Sequence, residues 1–240
     1  MSDPAVTSAS DPRSASFELF ELCTAFVLGL GATLGSIAGY EGGLWGGDAM
    51  VKFAEAARLT TAGADQGAYA DSKIASDQQI KIQGILLLAQ ARTLKEGEKR
   101  DLLLDQASEL FIREFSDQAY AALELPAEAR EAYDKDRKLT LIDEKDLFAA
   151  IDFDFEEPYY DEMYAEKKSL DDEAEEVDQQ GRKADDIGDS FDLAGVYFTL
   201  SLFFAGLGLV FKTRVRWGFF TAGCVVLIAA SAYMATLQWM

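Results

Sequence analysis

Three uncharged apolar stretches divide the chain into regions of different polarity. They are Leu22–Tyr40, Leu193–Phe211 and Trp217–Leu237, and none contains Asp, Glu, Lys or Arg. A helix needs about 20 predominantly apolar residues to cross the hydrocarbon core of a bilayer. The pattern therefore predicts three transmembrane helices, one in the first part of the sequence and two in the last part.

Glycine recurs at every fourth position through the first apolar stretch and beyond it. Residues four apart share one face of a helix, and small residues on such a face let two membrane helices approach closely. We expect these glycines to form a packing face that contacts the second apolar stretch, with Phe198, Leu202 and Phe203 among the side chains that cover it. The series comprises Gly31, Gly35, Gly39, Gly43 and Gly47.

The polar region between the first two stretches has small and apolar residues at sevenfold spacing. One series follows the first stretch and comprises Ala49, Ala56, Gly63 and Ala70. The other precedes the second stretch and comprises Met163, Leu170, Val177, Ala184 and Phe191. Heptad spacing is typical of coiled coils, so the two series predict an antiparallel helical stalk with Gly63 near Leu170. The alternative for the acidic segment before the second stretch is a solvated charged helix.

The residues between these two series predict a small helical head. Residues 98–125 carry an amphipathic pattern and predict one helix. Pro126 is suited to the first turn of the next helix, and Asp143 can cap a further short helix that ends near Ala150. Pro158 is suited to the start of the helix that returns to the second apolar stretch.

These patterns together predict an all-α membrane protein. Three transmembrane helices carry an antiparallel helical stalk and a small helical head, which lie between the first and second spans. The predicted segments are a disordered tail at 1–16, transmembrane helix 1 at 17–41, the soluble stalk and head at 42–192, transmembrane helix 2 at 193–211, a basic cytoplasmic loop at 212–216 and transmembrane helix 3 at 217–240.

A short basic loop predicts the orientation in the membrane. Lys212, Arg214 and Arg216 lie between the second and third apolar stretches, and short basic loops remain in the cytoplasm. This places the N-terminus in the cytoplasm and residues 42–192 outside, in the periplasm or the extracellular space. The predicted location is a cell inner membrane.

Composition excludes several functional classes. The formal net charge is −20, which argues against a nucleic-acid partner. Histidine is absent, so catalysis by a Ser-His-Asp or Cys-His arrangement is excluded. The two cysteines, Cys23 and Cys224, lie in apolar stretches without zinc-site spacing. We expect no catalytic residues, no metal ligands and no cofactor, and hence no enzymatic activity.

The densest acidic and aromatic segment lies before the return helix. Its candidate residues for contact with a cation or a partner are Asp152, Asp154, Glu156 and Glu157. Oxygen ligands of this kind bind hard cations such as calcium, although the order of an EF-hand loop is missing. The alternative is a helix-capping turn whose two Phe side chains anchor in the head, and we prefer it.

The sequence favours a non-enzymatic structural or accessory subunit of a membrane complex. Its expected partners are membrane lipid and either another membrane protein or further copies of the chain, which dock on the glycine-lined spans and the acidic head. The alternative is a subunit of an oligomeric channel or transport system with an acidic vestibule. Its pore would be lined by hydroxyl side chains from Thr33, Ser36, Thr199 or Ser201.

Two segments resemble a known family. ADQGAYADSKIASDQQIK at 64–81 is similar to the segment around D-Q-W-A-Y-Y-Q-A-K-S-I-K in an uncharacterised bacterial domain-of-unknown-function family of three-span membrane proteins. The matching positions are Asp65, Gln66, Ala68, Tyr69 and Lys73, while Gly67 replaces the aromatic residue. YAEKKSLDDEAEEVDQQ, followed by two spans that K-T-R-V-R separates, resembles the C-terminal half of the same family. The resemblance covers about half of the chain and implies one span, a helical insert and two spans, with no established activity.

Overall fold

The computed structural model describes residues 12–136, 141–152, 154–211 and 213–240, and all regular structure in these residues is α-helical. Three of the helices, α1, α7 and α8, are long and apolar enough to cross a membrane. The prediction of an all-helical chain with three candidate membrane spans is therefore confirmed. In chain order the helices are α1 (Pro12–Thr93), α2 (Glu98–Glu114), α3 (Asp117–Ala122), α4 (Ala127–Asp136), α5 (Glu144–Asp152), α6 (Glu157–Met163), α7 (Ala165–Val210) and α8 (Val215–Ala235).

The chain divides into two compact units. The span unit comprises the described residues up to Glu55 and from Glu176 onward, and the head unit comprises the described residues of Ala56–Glu175. Because α1 and α7 are long, each of them contributes one part to each unit.

The N-terminal boundary differs from the expectation. Helix α1 begins at Pro12, before the predicted start at Phe17, and the rest of the predicted tail at 1–11 lies outside the described residues. Proline suits the first turn of a helix because its missing N–H would have no intrahelical partner there. At its other end α1 stops at Thr93, close to the polar segment that predicted its end.

The prediction of one helix over residues 98–125 is wrong. Phe115 has an extended backbone (φ −64°, ψ 147°) and ends α2, while Ser116 has an extended backbone and caps α3. The Ser116 Oγ accepts a hydrogen bond from the Ala119 N–H at 3.0 Å. Such a cap satisfies one free N–H of the new helix, and this local bond competes with continuation of α2.

The other predicted head helices are confirmed with one correction. Helix α4 follows Pro126 directly, and α5 follows Asp143. The return to the second apolar stretch, however, consists of two helices because the backbone at Tyr164 departs from helical geometry between α6 and α7 (φ −97°, ψ 4°). Pro158 lies in the first turn of the shorter helix α6.

Close contacts in the span unit pair α1 with α7 in opposite directions. An ideal Cβ at Gly31 would lie 2.8 Å from Leu202 Cδ2, and one at Gly35 would lie 3.4 Å from Phe198 Cβ. Farther along α1, an ideal Cβ at Gly42 would lie 2.7 Å from Asp192 Oδ1. The partner number falls on α7 as the residue number rises on α1, so these parts of the two helices are antiparallel.

Helix α8 packs on α7 through a similarly close contact. The Ser201 hydroxyl is buried and donates to the Gly223 carbonyl at 2.8 Å. An ideal Cβ at Gly223 would lie 3.1 Å from the Ala205 nitrogen and 3.1 Å from the Ser201 carbonyl oxygen. Because both neighbours are backbone atoms, only glycine fits here without displacement of a helix.

The head unit has its own apolar core. Phe111 of α2 is buried, and its ring lies against Gly84 of α1, closer than a side chain at that position would allow. Phe111 and Phe115 stack with ring centroids 4.8 Å apart. The head unit also confirms that Gly63 lies near Leu170, because an ideal Cβ at Gly63 would be 3.6 Å from Leu170 Cβ.

Candidate functional site

A cleft of about 550 Å³ opens in the head unit. The ends of three short elements meet one face of α1 around it: the end of α2, the start of α3 and the end of α6. Most of its lining is polar, which distinguishes it from the apolar core beside it. The residues that line the cleft are Gln66, Tyr69, Ala70, Lys73, Ser76, Asp77, Arg113, Glu114, Phe115, Ser116, Asp117, Gln118, Arg130, Glu162, Met163 and Glu166.

Asp77 is a buried carboxylate at the base of this cleft, with 1% of its surface exposed. Its Oδ1 accepts the backbone N–H of Ser116 at 2.9 Å, and its Oδ2 accepts the Ser116 hydroxyl at 2.5 Å. The Tyr159 hydroxyl donates to the same Oδ2 at 2.8 Å. A buried carboxylate needs such donors, since burial without hydrogen bonds is costly. Asp77 thereby connects α1, the α2–α3 corner and α6.

The hydroxyl groups around Asp77 form hydrogen bonds that stabilise the structure. Ser116 Oγ donates to Asp77 and accepts from the Ala119 N–H, so it caps α3 rather than facing a substrate. Burial and the hydrogen bond to Asp77 raise the pKa of Tyr159 far above its ordinary value. A phenol that keeps its proton serves as a donor and not as a base at neutral pH. The cluster therefore has no activated nucleophile.

Two arginines of the cleft are tied to neighbouring groups. Arg130 donates from Nη1 to the Phe115 carbonyl at 2.8 Å, and its Nη2 lies 2.7 Å from Asp117 Oδ1. Its Nε is buried without a hydrogen-bond partner in the described part of the chain. Arg113 pairs with Glu109, which lies outside the cleft lining. The lining combines three cationic side chains with five carboxylates, so the cleft is a mixed polar surface and not a single-sign field.

The heptad pattern of the sequence carries a signal for Asp77. The first sevenfold series, which ends at Ala70, reaches Asp77 at its next step. A charged residue at a core position of a heptad pattern indicates a buried polar contact. Ser116 and Tyr159 carried no such signal, because their role depends on contacts with a segment distant in sequence.

The five predicted packing glycines do not share one environment. Gly31 and Gly35 contact α7 closely, whereas ideal Cβ atoms at Gly39, Gly43 and Gly47 would have nothing within 4 Å. The buried positions of α1 in the span unit are separated by three, four or seven residues and not by four throughout. They are Phe20, Thr24, Val27, Gly31, Ala38, Gly42 and Ala49.

The correction to the glycine series has a geometric cause. A helix has 3.6 residues per turn, so a series with a period of four drifts around the helix, whereas alternating steps of three and four keep to one side. After Gly35 the packed glycine is therefore Gly42, and the ideal Cβ of Gly188 on α7 would lie 3.4 Å from the Gly46 nitrogen. Gly39, Gly43 and Gly47 have rotated away from α7.

A second series of small residues lies on the exposed side of α1 in the span unit. We call it the outward glycine face; it comprises Gly29, Thr33, Ser36, Gly43 and Gly47. The helical repeat places these positions roughly opposite Gly31 and Ala38. The hydroxyls of Thr33 and Ser36 donate to carbonyls four residues earlier in α1, so the face presents few unmet polar groups.

The hydroxyl residues predicted to line a channel pore differ in exposure. Thr33 and Ser36 of α1 and Thr199 of α7 are exposed, and each donates to a carbonyl of its own helix. Ser201 is buried between α7 and α8 through its bond to Gly223. The structure thus leaves three of the four side chains available to a neighbouring subunit.

The acidic and aromatic segment is held to α1 by an ion pair. Lys81 Nζ lies 3.0 Å from Asp154 Oδ1, and this hydrogen bond and charge hold the pKa of Asp154 below its ordinary value. Phe155 is buried and stacks on Tyr159 with centroids 4.3 Å apart. Glu156 and Glu157, at the start of α6, are exposed.

Other parts of the acidic segment fall outside the description. The side chain of Asp152 and the whole of Phe153 lie outside the described residues. Within the described residues, no group of three acidic or cysteine side chains is arranged to hold a metal ion. Because Asp154 already has Lys81 as its counterion, a cation would have to displace an existing ion pair.

No protein-family model, curated protein or solved structure matches this chain.

Proposed function

We propose that this chain is a non-enzymatic, membrane-anchored accessory subunit that holds another membrane protein against α1. The observation that carries this proposal is the outward glycine face, where ideal Cβ atoms at Gly29, Gly43 and Gly47 meet nothing within 4 Å. Small residues are enriched where membrane helices contact one another, because they allow backbones to approach. The chain's own helices occupy the opposite side of α1, so this side is left for a partner.

The partner that fits this face is a transmembrane helix with bulky side chains. Tyr40 is a large residue near the middle of this face, and 66% of its surface is exposed. In a two-fold dimer of parallel helices, Tyr40 would meet its own copy and hold the two backbones apart. A different protein can avoid that clash by placing a small residue opposite the ring.

We infer that α1 and α7 leave the membrane as an antiparallel coiled-coil stalk. Within the head unit, Gly67 lies against Lys167, with 3.1 Å between an ideal Cβ and Lys167 Cδ. Within the span unit, Gly181 lies against Phe53, with 2.8 Å between an ideal Cβ and Phe53 Cε1. Small positions opposite long side chains on paired helices support close heptad packing.

We also infer that the head unit lies outside the inner membrane of a bacterial cell. Arg214, which precedes α8, and Arg216 in the first turn of α8 support a cytoplasmic position for this end of the helix. The acidic head then faces the partner's outer domain, to which it offers a surface of negative charge. The resemblance of residues 64–81 to a bacterial family of three-span membrane proteins supports a bacterial membrane as the location.

Co-purification from native membranes tests the proposal. The full chain, solubilised in a mild detergent, is expected to retain a second membrane protein in fixed ratio. Gly43→Leu should reduce that retention about tenfold or more without change in thermal unfolding, because an ideal Cβ at Gly43 meets nothing within 4 Å. Gly218→Leu is the matched control, since Gly218 of α8 is also exposed and unpacked.

Two results would contradict the accessory function. One is a wild-type chain that purifies alone. The other is site-specific crosslinking at Ser36 that yields only chain-to-chain products, which would favour the oligomeric channel. Selective cation flux through liposomes containing the purified chain would then support that alternative.

A further inference from the structure

A groove of about 700 Å³ runs along α7 in the span unit, beside the contact with α1. We call it the α7 groove; it is lined by Gly35 of α1 and by Asp192, Gly195, Val196, Leu200 and Phe203 of α7. Thr199 also faces it, but the Thr199 hydroxyl donates to the Gly195 carbonyl at 3.0 Å. Except at the Asp192 end, the groove is therefore an apolar surface.

The length of the α7 groove matches one leaflet of a bilayer. Asp192 and Phe203 are separated by 11 residues, or about 16 Å along a helix that rises about 1.5 Å per residue. Half of a hydrocarbon core that is about 30 Å thick is about 15 Å. The groove thus begins where α7 enters the apolar stretch and ends near the middle of the bilayer.

The Asp192 end carries an uncompensated negative charge at the level of the lipid headgroups. Asp192 lies against the backbone of Gly42, and it forms no ion pair with any residue that the structure describes. A carboxylate at a membrane boundary gains from a cation that can donate hydrogen bonds to it. The ammonium of an ethanolamine headgroup has that charge and those donors.

We propose that the α7 groove binds one phospholipid with an ethanolamine headgroup. Its acyl chain lies along Val196, Leu200 and Phe203, and its ammonium pairs with Asp192. Gly195 and Gly35 leave space for the acyl chain in the groove, because neither residue has a side chain. This site is separate from the outward glycine face. It rests on the proposed membrane anchoring but not on the accessory role.

Native mass spectrometry of the full chain in detergent tests the lipid site. The chain is mixed with equal amounts of phosphatidylethanolamine, phosphatidylglycerol and phosphatidylcholine. One phosphatidylethanolamine per chain is expected, at about tenfold preference over the other two. Phosphatidylglycerol has no cation, and the choline ammonium has no N–H to donate.

Two glycine variants separate filling of the groove from damage to the helix. An ideal Cβ at Gly195 meets nothing within 4 Å, so Gly195→Leu should fold normally, fill the groove and reduce lipid retention about tenfold. Gly206→Leu is the matched control, because Gly206 is also unpacked, lies on the same helix and does not line the groove. Thermal unfolding of both variants should equal that of the wild-type chain.

Asp192→Asn tests the headgroup contact alone. This variant should still retain one lipid, but its preference for phosphatidylethanolamine should fall to about equal retention of the three lipids.

Three results would overturn the proposal. They are wild-type chain that retains no lipid, equal lipid retention by Gly195→Leu and Gly206→Leu, and crosslinking at Val196 to a second copy or to a partner helix. Gly43→Leu should keep its lipid, so failure of the accessory function and failure of the lipid site give different results.

Discussion

At the scale of single residues, Asp77 connects three segments of the head unit. Its two oxygens accept three hydrogen bonds, from the Ser116 backbone, the Ser116 hydroxyl and the Tyr159 hydroxyl. These donors belong to segments that are far apart in the sequence. Because hydrogen bonds to a charged group are stronger than neutral ones, this one side chain fixes the α2–α3 corner and α6 relative to α1.

Asp77→Ala should destabilise the head unit by about 3 kcal/mol, because it leaves buried donors without an acceptor. Asp77→Asn keeps one acceptor oxygen and should cost about half as much. Thermal and denaturant unfolding of the full chain in detergent measures both effects. Asp65→Ala, on an exposed position of α1, is the control and should change stability by less than about 0.5 kcal/mol. Equal stability of Asp77→Ala and Asp65→Ala would contradict the structural role of Asp77.

We expect Tyr120 to make the stability of the head unit depend on pH in the alkaline range. Burial raises the pKa of Tyr120 to about 12, and its hydroxyl donates to the Pro126 carbonyl. A tyrosine in an unfolded chain ionises near pH 10, so its contribution to stability is complete below that value. The contribution falls as the pH rises from about 10 to about 12, because only the unfolded chain releases the proton there.

Tyr120→Phe should therefore weaken the loss of stability between pH 10 and pH 12. At neutral pH the variant should lose about 1 kcal/mol, the net value of one neutral hydrogen bond. Thermal unfolding midpoints over a pH series measure both quantities, with the exposed Tyr69→Phe as control. If all three chains show the same dependence on pH above 10, Tyr120 is not the titrating group.

At the scale of helices, glycine has two different roles in this chain. At Gly31, Gly42 and Gly223 it allows another helix to approach, whereas at Gly43 and Gly47 it has no neighbour. The spacing of the glycines along the sequence did not separate these two roles, because the same residue type stands in a helix at every one of these positions. The difference follows from the side of the helix on which each glycine lies, which is set by the helical repeat of 3.6 residues per turn.

Gly223→Ala should destabilise the contact of α8 with α7. The added methyl group would lie 3.1 Å from two backbone atoms of α7, and these cannot move without a shift of the helix. The expected cost is about 1–3 kcal/mol, as for other overpacked sites. Gly218→Ala is the control on the same helix, where nothing lies within 4 Å and the better helix propensity of Ala makes the change neutral or slightly stabilising.

The measurement for this pair is thermal unfolding in detergent. A Gly223→Ala variant as stable as Gly218→Ala would show that α7 and α8 do not pack as closely as described.

At the scale of the whole molecule, the distribution of charge is the main determinant of the predicted orientation in the membrane. The net charge is −20. Arg214 and Arg216 belong to the basic connection, by which we mean the segment from the end of α7 to the first turn of α8. Basic residues close to membrane helices oppose transfer across the membrane, whereas acidic residues have little influence. The head can therefore be strongly acidic without determining the orientation itself.

Reversal of the basic connection tests the orientation. Arg214→Glu combined with Arg216→Glu should produce molecules of mixed orientation. The readout is labelling of Ser169→Cys by a membrane-impermeant thiol reagent in intact cells, in a chain that also carries Cys23→Ala and Cys224→Ala. With the native connection the label should react from outside, and with the double variant labelling should fall by about half or more. Unlabelled protein with the native connection would contradict the orientation.

Local chemistry made much of the secondary structure predictable. Pro126 and Asp143 indicated the starts of α4 and α5 correctly, because proline and aspartate act on the adjacent turn. The break at Phe115 was not predictable in the same way. Residues 98–125 have a continuous helical pattern, and the corner is held by the bond from Ser116 to Asp77, which lies 39 residues earlier.

The sequence by itself determined the helical class, the three apolar helices and the positions at which glycine stands, because these depend on composition and on periodicity along one segment. The tertiary structure alone decided which glycines are packed, since the face of α1 that meets α7 depends on the register between the two helices. It also decided where the head cleft opens and why Asp77 is buried. A buried charge is stable only where its hydrogen-bond donors converge, and those donors come from distant parts of the chain.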